Sequence, residues 1–104
     1  MKRIIDSKRY DTETADLIHE WDNGIYGNDF KSCEETLYKT KNGSYFLHGA
    51  GGPMSKYAEP CGNNSMGGGS DIIPMDAEAA FQWLCDHGGE DPAETEFPEL
   101  IKEA

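Results

Sequence analysis

Thr36-Leu37-Tyr38-Lys39-Thr40-Lys41-Asn42-Gly43-Ser44-Tyr45-Phe46-Leu47-His48 is the stretch that decides the fold. Asn42-Gly43 stands between two runs of aromatic and aliphatic residues, and both turn residues tolerate the positive φ of a type I′ turn. The segment therefore predicts a β-hairpin. With Asn42 and Gly43 as a two-residue loop, Tyr38 pairs with Leu47 and Thr40 with Tyr45 on one face, while Leu37, Lys39, Phe46 and His48 share the other. Each face carries apolar members, so one is expected to meet helices and the other to be partly exposed.

Working outward toward the N-terminus, residues 2–10 predict a short strand, a polar turn at Asp6-Ser7-Lys8 and a return into Tyr10. Asp11-Thr12 offers a side-chain oxygen to a new helix, Glu13 lies near its positive end, and Leu17, Ile18 and Trp21 fall at helical spacing. Asn23-Gly24 supplies a left-handed stop, so a helix is expected over 13–22 and irregular chain over 25–33. Toward the C-terminus, residues 49–70 are rich in Gly, Asn, Pro and Ser, a long loop for so small a domain and by that length functional or mobile. Asp71-Ile72-Ile73-Pro74 suits an edge strand, because proline cannot donate to a central ladder. Asp76 then caps a second helix with Ala80, Phe81 and Leu84 on one face and Trp83 beside them, ended by Gly88-Gly89. The expectation is an α+β fold: a small antiparallel sheet, in β-β-α-β-β-β-α order, with two helices packed on one face. Residues 1–88 are read as one α+β domain, and 89–104 as an acidic C-terminal tail, either disordered or forming a short docking helix at Glu99–Lys102.

With 104 residues and 37% hydrophobic content the chain can build one modest core. No apolar run approaches the roughly 20 residues of a membrane helix, and residues 1–6 meet a charge too early for a signal peptide. A cytoplasmic protein without a membrane partner is expected. Cys33, Cys61 and Cys85 are widely spaced and read as reduced thiols. The charge is lopsided: residues 1–52 hold nine acids and seven bases, residues 53–104 eleven acids and two bases. Such a surface repels nucleic acid and membrane and is attracted to basic clefts, although solubility alone is the plainer account of net charge.

Motifs for chemistry are sparse. Gly49-Ala50-Gly51-Gly52 and Gly67-Gly68-Gly69-Ser70 lack the Gly-Lys-Ser/Thr ending of a phosphate loop and read as unusual backbone shape. His19-Glu20 lacks a second His four residues on, where Asn23 stands. Cys61, Cys85, His48 and His87 show no metal-ligand spacing, and no cofactor is implied. His48 with Glu34 or Glu35 can be drawn as a general acid–base set on a scissile phosphate, but nothing in the sequence places them together. Lys2, Arg3, Lys8, Arg9, Lys39 and Lys41 beside Tyr10, Tyr38 and Tyr45 fit either a single-stranded RNA face or ordinary strand-edge charge. The whole-molecule field favours the second.

Residues 2–15, Lys-Arg-Ile-Ile-Asp-Ser-Lys-Arg-Tyr-Asp-Thr-Glu-Thr-Ala, resemble the shared N-terminal region of type II-A anti-CRISPR proteins found on plasmids and phages. Gly52-Pro53-Met54-Ser55-Lys56-Tyr57-Ala58 and Cys61-Gly62-Asn63-Asn64-Ser65 look like further parts of that module, so the resemblance spans about residues 2–87. It implies inhibition of the type II-A CRISPR effector nuclease in the host bacterial cytoplasm. That nuclease holds its guide RNA in a positively charged channel. An acidic body suits competition with the guide for that channel, with Asp86, Glu90, Asp91, Glu94, Glu96 and Glu99 as the expected contacts. The module carries no catalytic signature. A guide-RNA-cleaving enzyme and a docking or regulatory module of a mobile element are the alternatives.

Overall fold

A computed structural model describes residues 1–24, 30–62 and 65–104. Among them the chain forms β1 (Lys2–Ile5), β2 (Lys8–Asp11), β3 (Asp16–Asp22), β4 (Cys33–Lys39), β5 (Tyr45–Gly51), β6 (Glu59–Pro60), β7 (Met66–Gly67), β8 (Gly69–Met75), α1 (Ala77–Asp86) and α2 (Glu90–Glu96), then a 3₁₀ turn at Pro98–Leu100. The class is α+β. Strands β3-β4-β5-β8 make an antiparallel sheet, β1-β2 a separate hairpin and β6-β7 a small ribbon. The expected irregular stretch over 25–33 falls partly outside the described residues, and its end, from Cys33, begins β4.

The expected helix over 13–22 is instead β3. The cap at its start is real but short: the Asp11 carboxylate accepts from the Glu13 amide at 3.0 Å, and the Ala15 amide donates to the Asp11 carbonyl at 3.1 Å. One turn forms and the chain then extends. The pairing with β4 shifts register between Leu17 and His19, a β-bulge with Ile18 as the extra residue. The bulge lets Ile18 and Trp21, three apart, pack against the same core, and this is what imitated helical spacing. Two helices still cover one face of the sheet, but the second is α2. The order is therefore strands first and helices last.

The central hairpin forms with a register one residue from the expected one: Lys39 faces Tyr45, Tyr38 faces Phe46 and Leu37 faces Leu47. The Gly43 amide donates to the Thr40 carbonyl at 2.9 Å and the Thr40 amide to the Ser44 carbonyl at 2.7 Å, while Gly43 takes φ +86°. Asn42 does not take a positive φ. The loop is thus the three-residue kind, a turn closed by a left-handed glycine, not a two-residue type I′. A one-residue shift swaps every side chain between faces. Leu37, Tyr45 and Leu47 accordingly join Ala80, Trp83, Leu84, Ala93 and Phe97 in the core under the helices. On the other face Phe46 stacks on Tyr38 at 5.2 Å, meets Tyr10 edge-on at 5.6 Å, and joins Ile72 in a second, smaller core beneath the β1-β2 hairpin. The type I′ geometry occurs in that hairpin, where Asp6 and Ser7 have φ 52° and 65°.

The edge strand expected at 71–74 is longer, Gly69–Met75, and lies at the sheet's edge beside β5. α1 starts where expected: the Asp76 carboxylate accepts from the Ala79 amide at 2.8 Å. Gly88 at φ 74° then turns the chain, and the Gly89 amide returns to the Leu84 carbonyl at 2.7 Å. The stretch read as a tail is α2 and the 3₁₀ turn, not loose chain and not a helix at 99–102. Ala93 and Phe97, one helical turn apart, are each 2% exposed, and Phe97 packs against Tyr45 and Phe81. Burying one such ring contributes about 1.5–3 kcal/mol toward holding residues 90–100 against the domain.

Candidate functional site

The helical layer carries the charge. Residues 76–101 contain eight acids and no Lys or Arg. Because Ala93 and Phe97 turn inward, Glu90, Asp91 and Glu94 stand exposed on α2, with Asp86 exposed at the end of α1 and Glu99 on the 3₁₀ turn. Asp86 sits at the negative end of a helix whose last turn has no basic residue, which the helix dipole disfavours. Glu96 differs from the other five expected contacts. It accepts from Lys39 Nζ at 3.0 Å and from the Tyr45 hydroxyl at 2.7 Å, and these bonds, Tyr45's first, hold its carboxyl below the ordinary range against the opposing effect of burial. Glu96 fastens α2 to the sheet and is not a free contact.

A second site was not legible in the sequence. Glu35, on the helix side of β4 with Leu37, is only 1% exposed. It accepts from the Tyr57 hydroxyl, from Trp83 Nε1 at 3.2 Å and from Lys56 Nζ at 2.7 Å, with His87 Nε2 at 3.5 Å. Burial alone would raise its pKa; the bonds from Lys56, Tyr57 and Trp83 outweigh it and hold the carboxyl below its usual range. Burial, then Glu35, push the Tyr57 phenol up, and the same two causes raise the Cys33 thiol. His87 is fixed by its Nδ1–H donating to the Trp83 carbonyl at 2.7 Å and by stacking on the Trp83 ring at 4.6 Å. Glu35 is an enclosed anchor whose oxygens are already engaged.

The glycine runs serve this anchor. A Cβ on Gly49 would stand 2.5 Å from Tyr57 Cε1 and closer still to Cζ and the hydroxyl oxygen. A Cβ on Gly51 would overlap Ser55, and one on Gly69 would meet Glu59 at 2.7 Å. Residues 55–59 thus lie as a strap across glycines of β5 and β8, pinned at one point by Glu35.

Of the two acid–base sets drawn, His48 with Glu34 comes together on one sheet face and His48 with Glu35 does not. Thr36 faces His48, which puts His48 and Glu34 on the sheet face opposite Glu35. Burial, then the N-terminal ammonium, lower the His48 pKa, and Glu34 opposes them. The basic-aromatic set does not form one exposed face: Tyr10 and Tyr45 are 8% exposed, and Lys39 is on the helix side with Glu96. Cys61 and Cys85 are exposed and Cys33 is half-buried. Among the described residues no group of three or more His, Cys, Asp or Glu is placed to hold a metal ion, and no helix is long and apolar enough to cross a membrane. No family model, curated protein or solved structure matches the chain.

Proposed function

We propose that this chain is an anti-CRISPR inhibitor that binds a type II-A CRISPR effector nuclease and hinders its assembly with guide RNA, acting in the host bacterial cytoplasm. The carrying observation is the helical layer: five exposed carboxylates, Asp86, Glu90, Asp91, Glu94 and Glu99, in a stretch without Lys or Arg. The resemblance of residues 2–15, 52–58 and 61–65 supplies the partner. Each exposed ion pair contributes only about 0.2–1 kcal/mol, so binding rests on several contacts, associates fast and weakens with salt.

The test adds the protein to nuclease and labelled guide RNA before or after assembly and resolves the RNA on a denaturing gel. Intact RNA, with assembly blocked only when the protein comes first, is expected. A Glu90→Lys, Asp91→Lys, Glu94→Lys variant should lose the block while staying folded, with a thermal midpoint lowered only by the loss of two acids from the first turn of α2; Glu96 is left in place because it holds the fold. Full inhibition by that variant would remove the helical layer as the contact surface. Shortened RNA at substoichiometric protein would replace this reading with a nuclease.

A further inference from the structure

The β1-β2 hairpin and the β4-β5 loop enclose a cleft of about 650 Å³ lined by Ser7, Lys8, Arg9, Tyr10, Asp11, Thr14, Thr40, Lys41, Asn42 and Ser44. Tyr10, whose ring is edge-on to Phe46, is among the lining residues. Three of the ten lining residues are cations and one is an acid, whereas the chain as a whole has 20 acids to 9 bases. A cleft placed at random on this surface would have the opposite balance. Three other cations have found carboxylates, Arg3 with Asp71, Lys39 with Glu96 and Lys56 with Glu35, and of the cleft's own three Lys41 pairs with Asp16. Lys41, though so paired, stays 71% exposed, and among the described residues Lys8 and Arg9 make no ion pair.

We propose that this cleft binds a small phosphorylated ligand, of mononucleotide size, through Lys8, Arg9 and Lys41. The guanidinium presents a planar fork of donors and the ammonium groups compact charge, the combination that suits phosphate oxygens. Asn42, Thr14 and Ser44 add neutral donors around them. The volume lies in the range of small-molecule sites. A long polyanion is the wrong occupant, because its phosphates would run out of the cleft onto a chain of 20 acids and 9 bases, beginning with Asp16 beside Lys41. A ligand confined to the cleft is shielded from more distant acids, since screening sets in beyond about 8 Å at physiological salt.

The experiment is an amide-resolved NMR titration of the full chain with ATP, inorganic phosphate, adenosine and a twelve-nucleotide single-stranded RNA, all at one ionic strength. ATP should give saturable shifts confined to residues 7–14 and 40–44, and phosphate weaker shifts at the same amides. A Lys8→Gln, Arg9→Gln variant, with unchanged circular dichroism, should bind ATP about tenfold more weakly or worse. Absence of saturable shifts, equal binding of adenosine, or undiminished binding by the variant would overturn the site. RNA binding more tightly than ATP would overturn the assignment of a small ligand.

Discussion

Replacing Gly49 by alanine tests the strap and its anchor together. The new methyl would occupy space now filled by the Tyr57 ring, 2.5 Å from Cε1 and nearer to Cζ. The backbone of β5 is paired on both sides, so the ring must yield. Tyr57 is 7% exposed; turning it out forfeits about 2–3 kcal/mol of burial. Its bond to the buried Glu35 carboxylate adds about 1.5–3 kcal/mol. Removing a strand glycine returns about 0.5–1 kcal/mol of unfolded-state entropy. The expected loss is about 3–5 kcal/mol, a large share of the 5–15 kcal/mol typical of whole domains. Urea unfolding followed by tryptophan fluorescence is a suitable assay, because Trp83 donates directly to Glu35. The decisive arm is a double-mutant cycle with Tyr57→Ala. If the ring is what the methyl displaces, Gly49→Ala in that background should cost less than about 1 kcal/mol. Additive losses would refute the argument.

Two further outcomes follow from the same geometry. Glu35 and Glu96 both titrate below the ordinary glutamate range in the folded chain. Their contribution is therefore complete above that range and is lost as the pH falls through the lowered values. Glu35→Gln should be less stable at neutral pH by about 1.5–3 kcal/mol and show a shallower acid slope in pH-dependent unfolding; an unchanged slope would contradict the assignment. In the β4-β5 loop, Gly43→Ala should cost about 1 kcal/mol and Asn42→Ala under about 0.5 kcal/mol, because only Gly43 takes a left-handed φ. Equal losses by thermal melts would restore the two-residue loop.

What was legible followed from local signals with one meaning. Asp76 capping α1, the hairpin around Asn42-Gly43 and the turn at Asp6-Ser7 each rest on a few adjacent residues. What was misread had a local imitation. Leu17, Ile18 and Trp21 scan as a helix because a bulge at Ile18 restores by backbone irregularity what alternation forbids. Phe97 was hidden in an acidic stretch whose composition suggests disorder, although Ala93 and Phe97 already stand one helical turn apart. Of the expected acidic contacts, five lie exposed on one layer, whereas Glu96 depends on Lys39 and Tyr45, which lie far back in the chain. Glu35 was beyond reach for the same reason: Lys56, Tyr57 and Trp83 come from distant parts of the chain. One signal was available, an acid two residues before Leu37 on the inward face of a strand.

The excursion between β5 and β8 leaves and re-enters the sheet at one Cα pair, Gly51 opposite Gly69. Residues 52–68 are therefore a closed detour, and a tight turn joining Gly51 to Gly69 would leave the strand order untouched. Length in this region is free to vary only on one condition. Excision removes Lys56 and Tyr57 and leaves a carboxylate under the helices with Trp83 and His87 as its remaining neighbours. A shortened chain is thus expected to fold only if position 35 becomes apolar at the same time. Loop length and the identity of one interior residue are tied as a single heritable unit.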